Sequence, residues 1–259
     1  GENALVNPYG IFVPAQRYSF KMMRYMHEHG IKQDALKAIA MASYHHAQAN
    51  PRAVMCGRPL TAAAYDASRW IAEPSKLFDC CQENDGAAAL VLVSAERAKD
   101  FKHKPAYILA VAQGSNHRHA ARAYNAPDLG TSSFGPVAPR LWQMAKLGPK
   151  DVDVLQSYEN FTGGVLMSLT EHGYFKPEEA NDFLKVENLL ASGGKLPLNT
   201  SGGNLAECYM HGLELQIEAV RQIRGASTSQ VANARVAGVI SGPMVTPVST
   251  MIFGSADTL

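Results

Sequence analysis

Residues 198–212 read Leu198-Asn-Thr-Ser-Gly-Gly-Asn-Leu-Ala-Glu-Cys-Tyr-Met-His-Gly212. The pair Gly202 and Gly203 predicts a tight turn that opens a helix, and we expect a long helix from Glu207 to Arg224. Two strand-like runs follow this helix, from Ala234 to Ile240 and from Val248 to Phe253. A helix followed by two strands predicts a layered α/β unit at this end of the chain.

The alternation of strands and helices extends toward the start of the chain. An almost wholly apolar run, Asp85–Val93, is typical of a central strand buried on both faces. Strands are also predicted from Tyr107 to Ala112 and from Asp153 to Gln156, which makes the fold class α/β. The other predicted helices are Pro14–His29, a helix with Asp34 as its cap that ends near Asn50, Val137–Leu147, Gly164–His172 and Pro177–Asn188.

The composition is that of an ordinary folded protein. Of 259 residues, 46% are hydrophobic and 18% are charged, and the formal net charge is +1. A charge so close to balance gives no electrostatic footprint for nucleic acid. No apolar stretch reaches the ~20 residues that a membrane span needs, and residues 1–5 do not begin like a signal peptide. We therefore expect a cytoplasmic protein with no membrane span.

The cysteines and histidines do not predict a metal site. The four cysteines have no Cys-x-x-Cys spacing, which argues against both a zinc site and a disulfide framework, and we expect small buried thiols. His45-His46 and His117-Arg-His119 lack a second cluster of ligands at site spacing, so we interpret them as solvated polar loops. The cysteines are Cys56, Cys80, Cys81 and Cys208.

An ordered set of short segments resembles the thiolase superfamily, in particular thiolases of the sterol-carrier-protein type. The resemblance implies a thiolase fold with the layers α-β-α-β-α, in a chain that lacks the N-terminal part of such a protein. Residues 1–104 would then be the remainder of the N-terminal domain, including the loop domain, and residues 105–259 the C-terminal domain. The segments are Asn7-Pro-Tyr-Gly10, Asn50-Pro-Arg52, Leu60-Thr61, Asp79-Cys-Cys81, Asp85-Gly-Ala-Ala88, Ser157-Tyr-Glu-Asn-Phe161 and Asn199–Gly212.

Tyrosines stand at two positions where a thiolase-like chain carries histidine. Tyr158 takes the first place of the His-Asp-Cys-Phe or Asn-Glu-Ala-Phe loop, and Tyr209 takes the place of His in Gly-His-Pro. The second thiol of a thiolase is absent from both family positions, which hold Asn160 and Val239 here. This pattern is similar to the lipid-transfer-protein-type steroid aldolases. The resemblance implies a lyase that cleaves a β-hydroxyacyl-CoA, such as a steroid side-chain thioester, to a ketone and propionyl-CoA.

Phenols suit that reaction. A retro-aldol step needs a base, an acid and a site for an oxyanion, and a phenol can donate and accept through one oxygen. We predict that Tyr158 and Tyr209 are the acid/base pair, and the sequence does not decide which is the base. Asn160, Glu159 and His211 are candidates for orientation or proton relay. Glu159 fits equally well as an acceptor of backbone N–H groups at a helix start, and His211 as a capping or solvent-facing residue on the first turn of a helix.

Backbone N–H groups are the predicted contacts for the thioester. Gly202 and Gly203 open a helix and could present N–H groups to an oxyanion. In Ser241-Gly-Pro-Met244 the proline has no N–H, so a contact in that loop falls to Gly242 or Met244. We expect no tightly bound cofactor, because coenzyme A enters as part of the thioester substrate.

Two other functions remain open on the sequence. One is a divergent acyl-CoA acetyltransferase or thiolase whose nucleophile lies outside these residues. The other is a lipid-carrier subunit. The family resemblance further implies a homodimer and a small companion protein with an OB-fold and a zinc ribbon.

Overall fold

The structure is a computed structural model that describes residues 3–116 and 128–259. Its first part is mainly helical, and the short strands β1 and β2 form an antiparallel hairpin. The elements of this part are α1 (Asn3–Val6), α2 (Pro14–His29), α3 (Gln33–Gln48), α4 (Ala62–Ala67), β1 (Trp70–Ala72), β2 (Ser75–Lys76) and α5 (Ala95–Ala98).

The second part is built around a four-stranded sheet in the order β3-β6-β5-β4. Strands β4 and β5 are parallel, whereas β6 runs antiparallel to both β3 and β5. The elements of this part are β3 (Tyr107–Gly114), α6 (Ala138–Ala145), β4 (Val154–Ser157), α7 (Thr162–Glu171), α8 (Ala180–Phe183), α9 (Val186–Leu189), α10 (Gly203–Ala206), α11 (Leu213–Arg224), β5 (Val236–Ser241) and β6 (Val248–Gly254).

Helices cover both faces of this sheet, which explains why its strands are almost wholly apolar. Side chains alternate between the faces of a strand, so neighbouring residues of β4 enter different buried clusters. One cluster joins the sheet to α11 and contains Val154, Ala237, Val239, Leu215, Ala219 and Ile223. The other joins it to α6 and α7 and contains Leu155, Ile240, Ile252, Leu141, Val165 and Leu169.

Helix α3 lies in the interior, where it packs against α7, α9 and α10. His46 in its last turn is buried, and the ring Nε2 accepts the Ala191 N–H at 3.0 Å. The interpretation of His45-His46 as a solvated loop is therefore wrong for His46, which α3 carries into the core. His45 is exposed, but it lies on the same helix and not in a loop. The motif His117-Arg-His119 lies outside the described residues.

The prediction of a strand from Asp85 to Val93 is also wrong. Within the described residues this segment pairs with no strand, and Val91 and Leu92 are 84% and 77% exposed. A run that is apolar on both faces becomes a central strand only when strands flank it and layers cover it. The described part of the chain provides neither for these residues.

The other predicted strands and most of the predicted helices form within a few residues of their expected bounds. Helix α2 has the bounds predicted, and Gly30 ends it in the left-handed conformation. The predicted helix Pro177–Asn188 breaks into a 3-10 turn, α8 and α9. The predicted helix from Glu207 begins only at Leu213 as α11. The division of the chain near residue 104 stays a prediction.

Among residues 3–116 and 128–259, no helix combines the length and the apolar character needed to cross a membrane.

Candidate active site

Tyr158 is placed by the sheet. It directly follows β4, and its N–H donates to the Ile240 carbonyl of β5 at 2.9 Å, which continues the parallel ladder by one residue. Its ring belongs to the buried cluster under α11 and is 7% exposed. Because parallel strands end at the same edge of a sheet, the loop Ser241–Met244 after β5 lies at this edge too.

Tyr209 is placed by a different kind of structure. It lies in the irregular segment 207–212 between α10 and α11. Its N–H donates to Asn84 Oδ1 at 2.8 Å, and its half-buried side chain packs against the edge of the α11 cluster. Tyr209 is in no helix, so its backbone N–H is held by the Asn84 side chain and not by a helical hydrogen bond.

The structure brings the two tyrosines together. The distance between Tyr158 Oη and Tyr209 Oη is 2.6 Å, which is a short hydrogen bond between two hydroxyls. Their ring centroids are 5.9 Å apart and the rings are tilted by 59°. Two residues separated by 51 positions in sequence thus form one hydrogen-bonded pair of hydroxyls that can donate and accept a proton.

The electrostatics of the pair are unequal. Burial raises the pKa of Tyr158 well above its ordinary value, and the hydrogen bond with Tyr209 raises it further. Burial also raises the pKa of Tyr209, but the hydrogen bond with Tyr158 opposes that shift. The hydrogen bond thus raises the pKa of Tyr158 and lowers that of Tyr209, and either hydroxyl can be its donor.

Gly212 allows the close approach of these two loops. Its φ is +85°, and a Cβ added there would lie 2.7 Å from Cδ2 of the Tyr158 ring. A side chain at this position would therefore carry a backbone penalty and also push the Tyr158 ring.

An open cleft of about 460 Å³ leads to the pair, lined by Glu83, Asn84, Asp85, Tyr209 and His211. Tyr209 lines this cleft, and the buried Tyr158 does not, so Tyr209 is the phenol that a ligand in the cleft meets first. His211 is exposed, and its ring centroid lies 4.9 Å from that of Tyr209. The prediction that His211 lies on the first turn of a helix is wrong. Its φ is +54°, and it lies in the turn before α11.

Glu159 lies away from the phenols. Its side chain is fully buried, and it accepts the Ser43 hydroxyl at 3.1 Å and the Asn204 N–H at 2.9 Å. Burial raises its pKa to about 8. Successive side chains of an extended segment point in opposite directions, so the neighbour of Tyr158 faces α3 and the start of α10. Of the two roles considered for Glu159, the structure shows the contact with backbone N–H groups.

The Gly-Gly turn meets the same carboxylate. Gly202 and Gly203 are buried with φ of +113° and +56°, and a Cβ at Gly203 would collide with the Glu159 carboxylate. The Gly202 N–H donates to the Asn199 carbonyl at 2.9 Å. The group that accepts a backbone N–H at the start of α10 is therefore the Glu159 carboxyl. The predicted thioester contact at this turn stays a prediction.

The loop after β5 is fixed by Asn160. The Asn160 Nδ2 donates to the Pro243 carbonyl at 3.1 Å, and its Oδ1 accepts the Phe161 N–H at 2.9 Å. The Met244 N–H donates to the Ser132 carbonyl at 3.0 Å. Asn160 therefore joins the Tyr158 loop to Ser241–Met244, and Gly242, which is half-buried with φ of +69°, is the residue of that loop left for a ligand contact.

Three residues near the pair were missed in the sequence. Asn84 accepts the Tyr209 N–H, and Glu214 accepts the N–H groups of Met210 and Gly212. The interaction of Cys81 with Tyr209 lowers the pKa of the Cys81 thiol, against the larger effect of burial. Burial raises the pKa of Cys81 to about 11. Cys81 lies in Asp79-Cys-Cys81, and Asn84 directly precedes Asp85-Gly-Ala-Ala88. The resemblance of these two segments to thiolases was the available signal for both residues. A lone glutamate on a helix gave no signal for Glu214.

The prediction of small buried thiols is only partly correct. Cys56 is exposed and the other cysteines are half-buried, and the structure contains all four as free thiols. Within residues 3–116 and 128–259, no group of three His, Cys, Asp or Glu side chains is arranged to hold a metal ion.

The chain is similar to known proteins of one superfamily. Residues 112–255 match the family described as "Thiolase C-terminal domain-like". The chain is 40% identical over 255 residues to the 17-hydroxy-3-oxo-4-pregnene-20-carboxyl-CoA lyase of Mycobacterium tuberculosis, covering 98% of this chain and 66% of that protein. It is 41% identical over 250 residues to the steroid side-chain-cleaving aldolase of Thermomonospora curvata, covering 96% of this chain and 63% of that protein.

A solved structure supports the same relationship. The "Ltp2-ChsH2(DUF35) aldolase" superimposes with a TM-score of 0.94 at 40% identity, covering 100% of this chain and 68% of that one. The predicted thiolase fold is thus confirmed. The chain spans about two thirds of the length of its curated relatives, 66% and 63%. It belongs to the thiolase superfamily, in the branch of the lipid-transfer-protein-type aldolases.

Proposed function

We propose that the protein is a lyase that cleaves the thioester of a steroid side chain by a retro-aldol reaction. The substrate is a β-hydroxyacyl-CoA, and the products are a ketone and propionyl-CoA. The observation that carries this proposal is the 2.6 Å hydrogen bond between the hydroxyls of Tyr158 and Tyr209. Relatives named as a steroid side-chain-cleaving aldolase and as a carboxyl-CoA lyase support the choice of reaction and substrate.

The roles of the two phenols follow from their unequal surroundings. Tyr209 lines the cleft, and the hydrogen bond with Tyr158 opposes the rise that burial causes in the pKa of Tyr209. Tyr209, as phenolate, takes the proton of the substrate β-hydroxyl. Tyr158, whose pKa burial and the hydrogen bond both raise, keeps its proton and stabilises the phenolate oxygen.

The rest of the reaction balances without a further reactant. Loss of the hydroxyl proton allows the bond between Cα and Cβ to break, which forms the ketone and leaves the electron pair in the enolate of the thioester. The proton held by the tyrosine pair then passes to Cα and gives propionyl-CoA. Gly242 is the proposed contact for the enolate oxygen, and His211, exposed beside Tyr209, connects the pair to solvent.

The assembly is part of the proposal. A homodimer is expected of this fold, and the relative solved as the Ltp2-ChsH2(DUF35) aldolase supports a companion of the DUF35 type. We expect this companion to have the OB-fold and the zinc ribbon that the family resemblance implies. We place the assembly in the cytoplasm.

A product assay by mass spectrometry tests the reaction. The full-length protein, with and without the companion, is incubated with a sterol β-hydroxyacyl-CoA in the absence of free CoA. Formation of the ketone and propionyl-CoA supports the retro-aldol reaction. Cleavage that requires free CoA and a β-ketoacyl substrate would identify a thiolase, and binding without any cleavage would identify a lipid carrier.

A further inference from the structure

Glu214 is a buried carboxylate that the proposed reaction does not use. It is 2% exposed on the first turn of α11. Its Oε2 accepts the Met210 N–H at 3.1 Å, and its Oε1 accepts the Gly212 N–H at 3.2 Å. These two N–H groups belong to the residues on either side of His211, directly after Tyr209.

The segment 207–212 needs such an acceptor. It is irregular, and Gly212 has the left-handed conformation that interrupts a helix before α11. The first N–H groups of a helix have no partner within the helix, and a buried N–H without a partner is costly. One carboxylate thus fixes two backbone groups after Tyr209, while Asn84 fixes the N–H of Tyr209 itself.

Asn204 links this carboxylate to the other loop. In the amide orientation that satisfies both neighbours, Asn204 donates to Glu214 Oε1 and accepts the Glu159 N–H at 3.2 Å. Glu159 in turn accepts the Asn204 N–H at 2.9 Å. A continuous series of hydrogen bonds therefore runs from the residue after Tyr158, through Asn204 and Glu214, to the residue after Tyr209.

We propose that Glu214 is a positioning residue that holds the Tyr209 hydroxyl at hydrogen-bonding distance from that of Tyr158. It has no contact with the substrate in this role and acts through the backbone of residues 210–212. The kinetic tests of this inference rest on the proposed function, because they measure turnover.

Kinetics of Glu214→Gln in the full-length protein provide the first test. An amide nitrogen cannot accept a hydrogen bond, so one of the two N–H groups loses its partner. We expect kcat to fall about 10²-fold while KM stays within about threefold, because misplacement of a catalytic group by about 1 Å costs that much. Glu214→Asp, which keeps the charge but withdraws the oxygens, is the second variant if the amide variant folds poorly.

Glu218→Gln is the matched control. Glu218 is buried one turn further along α11 and hydrogen-bonds to Thr200, Ser227 and Gln222. Its link to the segment 207–212 is indirect, through Arg221, which lies 3.9 Å from Glu218 and 3.5 Å from Glu207. We expect its turnover within about twofold of the unchanged protein. In the double variant with Tyr209→Phe, the effect of Glu214→Gln should shrink to less than about twofold, since it acts through the Tyr209 hydroxyl.

A spectroscopic readout does not depend on activity. In protein labelled with 3-fluorotyrosine, the ¹⁹F signal lost in Tyr209→Phe identifies Tyr209. This signal should shift in Glu214→Gln and stay in place in Glu218→Gln. An unmoved signal, or fully additive kinetic effects, overturns the inference. If Tyr209→Phe retains full turnover, the proposed reaction fails, and the ¹⁹F signal still decides whether Glu214 positions Tyr209.

Discussion

The two tyrosines end 2.6 Å apart, but two different kinds of structure place them there. Tyr158 extends a buried parallel ladder, so its backbone has the same partners as any residue of the sheet. Tyr209 lies in a turn whose N–H groups are held by the side chains of Asn84 and Glu214. One position is set by regular secondary structure and the other by individual side chains.

The difference matters because a substitution nearby should displace the two tyrosines to different extents. Strand β4 is the last strand in the sheet order, but all of its residues are buried, and its backbone pairs with β5 on one side and with Leu198 on the other. We therefore expect Tyr158 to move only together with these neighbours. The turn of Tyr209 faces the open cleft and depends on a few hydrogen bonds, so single substitutions can move it. The same turn carries the phenol that we assign as the base, and the following predictions test how far the two sides differ.

The largest effect is expected from removal of the base. Tyr209→Phe should lower kcat/KM about 10³-fold, within the usual range for loss of general acid–base catalysis, and Tyr158→Phe should cost less, since it removes only a stabilising donor. Steady-state kinetics with the β-hydroxyacyl-CoA measure both. Equal losses would mean that the pair is functionally symmetrical, and full turnover in either variant contradicts the assigned role.

The close approach of the two loops gives the next largest effect. In Gly212→Ala the new Cβ meets the Tyr158 ring at 2.7 Å in a left-handed backbone, so we expect turnover to fall about 10- to 100-fold. Gly225→Ala is the control, because Gly225 has φ of +73° and nothing within 4 Å of an added Cβ. Both variants should lose about 1 kcal/mol of stability from the backbone. Similar turnover in the two would contradict the role of the ring contact.

These expectations also show how far the sequence reaches. The strands of the sheet could be predicted from short apolar runs. The position of Tyr158 could be predicted too, because this residue directly follows one of those strands. The helix was predicted to begin at Glu207 and so to include Tyr209, whereas α11 begins only at Leu213. Gly212 is compatible with a turn, but no local signal reports the positive φ of His211. The Asn84 side chain that helps to hold this turn lies far away in the sequence.

A smaller effect is expected in the pH dependence of kcat/KM. The base must lose its proton, and burial raises the pKa of Tyr209, so the rate should rise with pH into the alkaline range. Tyr158→Phe removes the hydrogen bond that lowers the pKa of Tyr209, and the rising limb should move to higher pH. Tyr25→Phe is the control, a buried tyrosine bonded to Thr170 at 2.6 Å. An unshifted limb in Tyr158→Phe contradicts the donor role.

The smallest effect is expected in the pH dependence of stability. Burial raises the pKa of Glu159 to about 8 and that of Glu214 to about 7, above the ordinary value of about 4.3. Between these values the folded state binds more protons than the unfolded state. The free energy of unfolding therefore falls as pH rises from about 4.3 to 8, by at most about 1.4 kcal/mol per pH unit for each group.

Urea unfolding from pH 5 to pH 8 measures this slope on each side of the site. Glu159→Gln should flatten the slope up to about pH 8 and Glu214→Gln only up to about pH 7. Asp34→Asn is the control, because its exposed carboxyl has a lowered pKa and is already ionised in this range. An unchanged slope in both glutamine variants would show that neither carboxyl is protonated in the folded protein.

The backbone of His211 has a consequence for how the protein can be changed. A histidine with φ of +54° gives up about 1 kcal/mol relative to glycine at the same position, and its ring is exposed beside Tyr209. Selection for thermal stability alone would therefore replace this residue with glycine. Selection for turnover would retain the ring if it connects the tyrosine pair to solvent. Position 211 is thus where a more heat-resistant variant and a faster one are expected to diverge.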